Sequence, residues 1–421
     1  MNVKTRIRPW SYLLLHLRQC LTNMLQLKSA ALNIAPFASH EMDKMDSGYI
    51  TFGVFVDLKK AFDTIDHHIL LAKLEHYGIR GLPLQWFRSY LACRPQTVNI
   101  SGVSSSSRHV KCGIPQGSIL GPILFLLYIN DINASTNACD LRLFADETNL
   151  FKFLNSNILD LHLLNSDINK IVDWCKSNKL TINVDKTNYM IIKTPQKPAI
   201  VEGSLHIGPS AIEGAPNVTY LGVTIDPSLT WKAHITKLSK IISSKIGIIS
   251  RIRHFVPRSI LILLYNALIL PHLTYCIELW GNTYPTLLQP IARLQKKLVR
   301  LITFSHFQAH SAPLFHQLRL LDFRNLCKLH SCLLIFDLKH ARYARDLGHY
   351  IDSPTHNFPT RSVTSGNLCI PKTHLSISQH NFKYACVKHW NSLPANLKNH
   401  HNRNTFKSEL RECLFASIQR L

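Results

Sequence analysis

Six residues from Thr51 to Val56, TFGVFV, form an aromatic and β-branched run broken only by one Gly, and the residue that ends it, Asp57, is an acid. Such a run reads as a buried strand. A charged carboxylate at the end of a buried strand costs free energy unless something compensates it, so Asp57 needs a reason to be there. LKKAFDTIDHH follows, with Asp66 placed to cap a helix running through Ile69, Leu70, Leu74 and Tyr77 until Gly78 stops it. Asp57 therefore stands where a central strand gives way to a turn.

Two later segments belong with this strand. CGIPQGSILGPILFLLYINDI sets Pro and Gly around Gln116, then launches an apolar helix from Ser118 to about Ile132; Gly113 and Gly117 let the backbone approach a ligand closely. LRLFADETNLF, residues 141–151, reads as a β-hairpin with two adjacent carboxylates, Asp146 and Glu147, at its tip. Adjacent acids repel unless a cation sits beside them, and Asp57 from another strand completes a set suited to hard, oxygen-seeking metals such as Mg2+. Taken singly, an Asp at a turn is ordinarily a cap or a solvated residue. Together, a strand-end Asp and a hairpin-tip acid pair are what two-metal phosphoryl transfer requires: ions about 3.5 to 4 Å apart that activate an attacking hydroxyl and hold the leaving group.

The rest of the composition bounds the alternatives. The 421 residues carry 48 Lys+Arg against 25 Asp+Glu, and residues 227–421 alone hold 26 against 7. That asymmetry points to a polyanionic partner, nucleic acid first, gripped by the second half. A hydrophobic content of 46% excludes wholesale disorder. No stretch reaches the ~18 uninterrupted apolar residues of a membrane span. Eleven Cys, scattered singly with no CxxC, predict free thiols in a reducing, intracellular compartment, nuclear or cytoplasmic, and not a secreted protein. The first 40 residues are basic and acid-free, with a Leu-rich helical pattern from Trp10 to Leu27. A mitochondrial presequence and the remnant of an upstream domain both fit that segment.

FVDLKKAFDTIDHHIL, GIPQGSILGPILFLLYINDI, FADETNLF, KLTINVDKTNYMII and VTYLGVTIDPSLTWKAHI resemble, in this order, the A to E motifs of the reverse transcriptases of LINE-type (non-LTR) retrotransposons. Five ordered motifs over residues 50–235 are a specific signature, and a looser likeness continues through residues 260–284 and KHWNSLP, residues 388–394. The resemblance implies an α+β fold: a right-hand polymerase palm, an antiparallel sheet packed on helices, with partial fingers, followed by a mostly helical basic thumb and C-terminal region. The expected division is an atypical or remnant lead-in (1–40), a palm with partial fingers (41–226), a thumb-like region (227–310) and a basic C-terminal region (311–421).

By the same resemblance, Asp57 binds both of two Mg2+ ions with help from the Leu58 carbonyl, and Asp146 is the second metal ligand. Glu147 occupies the position of a second hairpin aspartate. Phe62 matches the aromatic gate that excludes a ribose 2′-hydroxyl, and Lys60 stands near the incoming triphosphate. Gln116 and Gly117 match the motif touching the nucleotide and template base; Lys186 matches the lysine that protonates pyrophosphate. Tyr220, Leu221 and Gly222 resemble the primer grip. The implied partners are an RNA template, a DNA primer and deoxynucleoside triphosphates, with no membrane.

Two departures stand against a fully active enzyme. Glu147 adds a methylene where the family has aspartate, displacing its carboxylate by about 1 to 1.5 Å, a shift catalytic geometry tolerates poorly. Only about 50 residues precede Asp57, too few for complete fingers, and neither an upstream endonuclease nor a CCHC knuckle is present, as in an N-terminally truncated element. The rival expectation is a catalytically inactive, retrotransposon-derived nucleic-acid-binding protein. A C-terminal nuclease is disfavoured because the seven acids after residue 226 show no strand-end cluster. In that half, SLTWKAHITKLSKIISSKIGIISRIRHF and LQPIARLQKKLVRLI read as helices with one basic face. Cys327, His330 and Cys332 fit no zinc spacing and read as core.

Overall fold

The structure, a computed structural model, describes residues 30–92, 94–136, 139–340 and 366–418. Most of the basic lead-in, with its Trp10 to Leu27 pattern, lies outside the described residues, as does the middle of the 311–421 region. The chain forms two compact units. The first spans Tyr49–Pro216, and the second joins the described residues of 30–48 to those of 217–418.

The first unit is built on a four-stranded antiparallel sheet. Its strands are β1 (Ile50–Val56), β2 (Asp140–Phe144), β3 (Glu147–Leu154) and β4 (Asn188–Ile192), in the order β2-β3-β1-β4. Every residue of β1 is buried, as its apolar run requires. Its even positions Ile50, Phe52, Val54 and Val56 share one core with Leu124, Phe125 and Tyr128 of helix Leu120–Ile129 and with Leu164, Ile168 and Ile171 of helix Leu161–Ser177. A period of two along the strand and of three to four along the helices places these residues on facing surfaces.

Helix His67–His76 begins as its sequence dictates: the Asp66 carboxylate accepts the N–H groups of His68 at 2.9 Å and Ile69 at 3.1 Å. Ser118 Oγ likewise accepts the Gly121 N–H at 2.9 Å, and the apolar helix ends at Ile129, short of Ile132, where a 3-10 turn Asn130–Ser135 takes over.

The second unit is mostly helical. Helix Lys232–Ile252 buries Ile235, Leu238, Ile242, Ile246 and Ile249 and leaves Lys232, Lys237, Lys240 and Arg251 exposed. Helix Pro285–Thr303 does the same with Ile291, Leu298 and Ile302 opposite exposed Arg293, Lys296 and Lys297. Gln295 lies on the buried face, where its Nε2 donates to Tyr265 Oη at 2.9 Å and the Leu321 carbonyl at 3.0 Å. Satisfied in this way, a buried amide is tolerable. Cys327 and Cys332 are buried on helix Phe323–Lys339. Trp390 of the KHWNSLP segment is fully buried; its indole N–H donates to the Gly366 carbonyl, and its ring packs on Phe406. All described cysteines are free. Among the described residues no helix is long and apolar enough to cross a membrane.

Candidate active site

Asp57 follows directly on β1, and its surroundings come from both neighbouring strands. On one side Val56 pairs with Thr148, so Asp57 lies one step past the last pair and Glu147, the first residue of β3, lies one step before it. On the other side the chain 181–183 extends the pairing beyond β4: the Asn183 N–H donates to the Asp57 carbonyl at 2.8 Å, Leu58 bridges Ile182, and the Lys59 N–H donates to the Thr181 carbonyl at 2.8 Å. Asn183 Nδ2 donates to Asp57 Oδ2 at 2.8 Å, and the Asp57 N–H reaches Thr187 Oγ1 at 3.4 Å. Thr187 Oγ1 in turn donates to the Asn183 carbonyl at 2.9 Å. Asn183 and Thr187, not singled out in the sequence, thus bracket Asp57. The signal that could have found them is their position around Lys186 in INVDKTN.

The hairpin acids are where the alternation puts them. Phe144 pairs with Glu147, leaving Ala145 and Asp146 as the two-residue turn, with Ala145 at φ 50°. Asp57, Asp146 and Glu147 are all half-buried. The carboxylates therefore come from the ends of adjacent strands, where hard cations find oxygen donors. Among the described residues, no three His, Cys, Asp or Glu are gathered closely enough to hold a metal ion by themselves. Mg2+ does not need such a cage, since it takes one or two carboxylates and completes its shell with water and substrate phosphates. The donor set fits that mode of binding.

The glycine-flanked turn lies against the segment after Asp57. The Gly113 N–H donates to the Ile65 carbonyl at 2.7 Å, the Ile114 N–H to the Phe62 carbonyl at 2.9 Å, and His67 Nε2 meets the Gly113 carbonyl at 2.7 Å. Gly113 has φ 84°, and a Cβ there would meet the Asp63 carbonyl oxygen at 2.6 Å, so only glycine fits. Gln116 Nε2 donates to Asp63 Oδ1 at 2.9 Å. Both residues line a cleft of about 740 Å3 together with Arg94 and Gln96. The Phe62 ring stacks on Phe125 at 4.5 Å, so it is anchored to the core and half-buried. Lys60 is exposed at φ 47°, and its carbonyl accepts the Asp63 N–H; Gly117 is exposed at φ 83°. Lys186 is exposed on the 3-10 turn Val184–Lys186, immediately before Thr187.

Tyr220, Leu221 and Gly222 fall in the second unit. Val218–Tyr220 pairs with Val223–Ile225, and Leu221 (φ 47°) with Gly222 (φ 78°) forms a tight two-residue turn. Tyr275 Oη donates to the Leu221 carbonyl at 2.6 Å, and buried Tyr220 meets Phe37 edge-on at 5.6 Å. The described acids of the second half have structural partners: Asp337 takes Arg403 Nε at 2.8 Å, Asp322 caps Asn325, Glu412 pairs with Arg319, Glu409 with His400 and Glu278 with His330.

Comparison with known proteins places the chain in a family. The family described as Reverse transcriptase (RNA-dependent DNA polymerase) matches residues 2–225, more than half of the chain. The chain is 26% identical over 280 residues to "RNA-directed DNA polymerase from mobile element jockey" of Drosophila melanogaster, covering 62% of this chain and 29% of that protein. It is 25% identical over 290 residues to "Probable RNA-directed DNA polymerase from transposon X-element" of the same fly, covering 65% and 31%. The chain thus spans less than a third of the length of these relatives. Among solved structures, apo telomerase from Candida tropicalis shares 12% identity at a TM-score of 0.38, covering 73% of this chain and 55% of that one. With its five motifs in order and more than half its length matched, the chain belongs to the reverse transcriptase (RNA-dependent DNA polymerase) family.

Proposed function

We propose that the chain acts as an RNA-directed DNA polymerase, adding deoxynucleotides to a primer 3′ end. The observation that carries this reading is the placement of Asp57, Asp146 and Glu147 at the ends of the adjacent strands β1 and β3 and at the turn that opens β3. In this reading the first unit is a polymerase palm with partial fingers, and the helices Lys232–Ile252 and Pro285–Thr303 form a basic thumb.

Asp57, the Leu58 carbonyl and Asp146 would hold two Mg2+ ions. When bound, Mg2+ lowers the pKa of the attacking hydroxyl and offsets charge on the phosphates. Asn183 and Thr187 fix the carboxylate and backbone of Asp57. Gln116, steadied by Asp63, and Gly117 border the place of the incoming nucleotide and its template base. Phe62, braced on Phe125, would exclude a 2′-hydroxyl; Lys60 would face the triphosphate and Lys186 would donate the proton to pyrophosphate. The Leu221–Gly222 turn, held by Tyr275, would support the primer end.

Mg2+-dependent primer extension on an RNA template tests the proposal. Incorporation by the natural chain that disappears in Asp146→Ala supports it. Salt-sensitive RNA binding with no incorporation under any divalent metal would replace it with the second reading, an inactive nucleic-acid-binding relic. Glu147, longer than the family's aspartate, is the observation that favours the second.

A further inference from the structure

The second unit carries a cleft of about 940 Å3 walled by the first turns of helix Phe323–Lys339, by helix Phe382–Asn391 and by the last turns of helix Arg403–Ile418. Arg324 and Lys328 are four residues apart on the first helix and so share a face; Lys388 lines the cleft from the second. Like charges at this spacing repel, and bringing a third beside them raises the cost. Among the described residues none of the three has an ion-pair partner. Among the described residues the one carboxylate lining the cleft, Asp322, already uses Oδ1 to accept the Asn325 N–H at 3.1 Å.

His389 reports on the same convergence. Burial, and then the charges of Lys328, Arg324 and Lys388, pull it down to about 4, so the ring is neutral near pH 7. Its Nδ1 is buried with no hydrogen-bond partner among the described residues. Asn325, Tyr384 and Ser392 add neutral donors to the lining. A cleft of this size, lined among the described residues by three unpaired cations against one carboxylate, suits a chain of phosphates better than a single small anion.

We propose that this cleft binds the phosphodiester backbone of a nucleic-acid strand, giving the C-terminal region a grip of its own. The proposal does not rest on polymerase activity, because an inactive chain would bind the same strand. Each phosphate neutralised on a single strand contributes about 0.7 to the slope of log affinity against log salt.

The test uses the full chain, fluorescence anisotropy and labelled uridine RNA and thymidine DNA strands of about 20 nucleotides, long enough to cover such a site. Lys328→Gln/Lys388→Gln is expected to weaken binding about tenfold and to reduce the salt slope by about 1.4. The charge-matched control Lys170→Gln/Lys176→Gln, on helix Leu161–Ser177, should change both only slightly. Equal loss on RNA and DNA assigns the bare phosphodiester; loss on one strand type assigns that type. Equal effects of the two double variants, or an unchanged slope in the cleft variant, overturn the proposal. Acetylation footprinting of the unaltered chain provides a readout that needs no variant to fold: bound strand should protect Lys328 and Lys388, and undiminished labelling of both overturns the proposal.

Discussion

Asn183 Nδ2 donates to Asp57 Oδ2 at 2.8 Å across 126 residues of sequence, while the Asn183 N–H donates to the Asp57 carbonyl at the same distance. One residue thereby fixes both the backbone and the carboxylate of the acid that ends β1. A hydrogen bond to a charged group is worth about 1.5 to 3 kcal/mol.

Asn183→Ala is therefore expected to slow primer extension about tenfold and to raise the Mg2+ concentration for half-maximal rate, as loss of a group orienting a metal ligand does. A merely structural role would lower the melting temperature without moving the Mg2+ midpoint. Titrating Mg2+ at a fixed temperature separates the two.

Glu147 starts β3 one step before the Thr148 that faces Val56, so its carboxylate extends from the strand beside Asp57. Glu147→Asp withdraws it by about 1 to 1.5 Å, toward the family's usual geometry, and should raise the extension rate. Equal rates for the two chains would show that the longer acid is no handicap.

Gly113 and Gly117 flank Gln116 at nearly the same φ, 84° and 83°, but their surroundings differ. A Cβ at Gly113 would meet the Asp63 backbone at 2.6 Å, whereas at Gly117 nothing lies within 4 Å. Gly117→Ala should cost only the left-handed backbone penalty, about 1 to 2 kcal/mol. Gly113→Ala adds a backbone clash and should cost about 3 kcal/mol or more. Urea denaturation of the two variants checks the order.

His234 is buried, its Nδ1 accepts the Thr224 N–H at 3.3 Å, and burial followed by the Lys237 charge lowers its pKa to about 4. The unfolded chain, with histidine near 6.5, binds that proton more readily. The stabilisation is thus complete above about pH 6.5 and is lost as pH falls toward 4, on the order of 3 kcal/mol in all. Thermal denaturation across this window should show the decline, and His234→Gln should flatten it.

Much of this architecture is legible in short stretches. The run Thr51 to Val56 is a strand because only burial on both faces accommodates six such residues, and Asp66 marks a helix start because its carboxylate satisfies two otherwise unpaired N–H groups. The hairpin turn at Ala145 and Asp146 follows from alternation on either side. The aromatic at position 62 is legible as a feature, but its stacking on Phe125 is not, because two rings 63 positions apart meet only after a helix has packed on the sheet.

The same division holds in the second unit. The sequence alone placed the positive charge after residue 226 and the basic faces of helices Lys232–Ile252 and Pro285–Thr303, since helical period and charge are read locally. Only the tertiary structure decided that Asp46 receives the His374 and Leu375 N–H groups and the Ser378 hydroxyl, tying helix Ala30–Asp46 to a segment 328 residues away. It likewise decided that Asn183 would hold Asp57 and that Arg324, Lys328 and Lys388 would converge on one cleft. Propensity, capping and periodicity act within a few residues of chain and are written there. Which distant groups meet depends on the summed burial of whole cores, and no single stretch of sequence carries that sum.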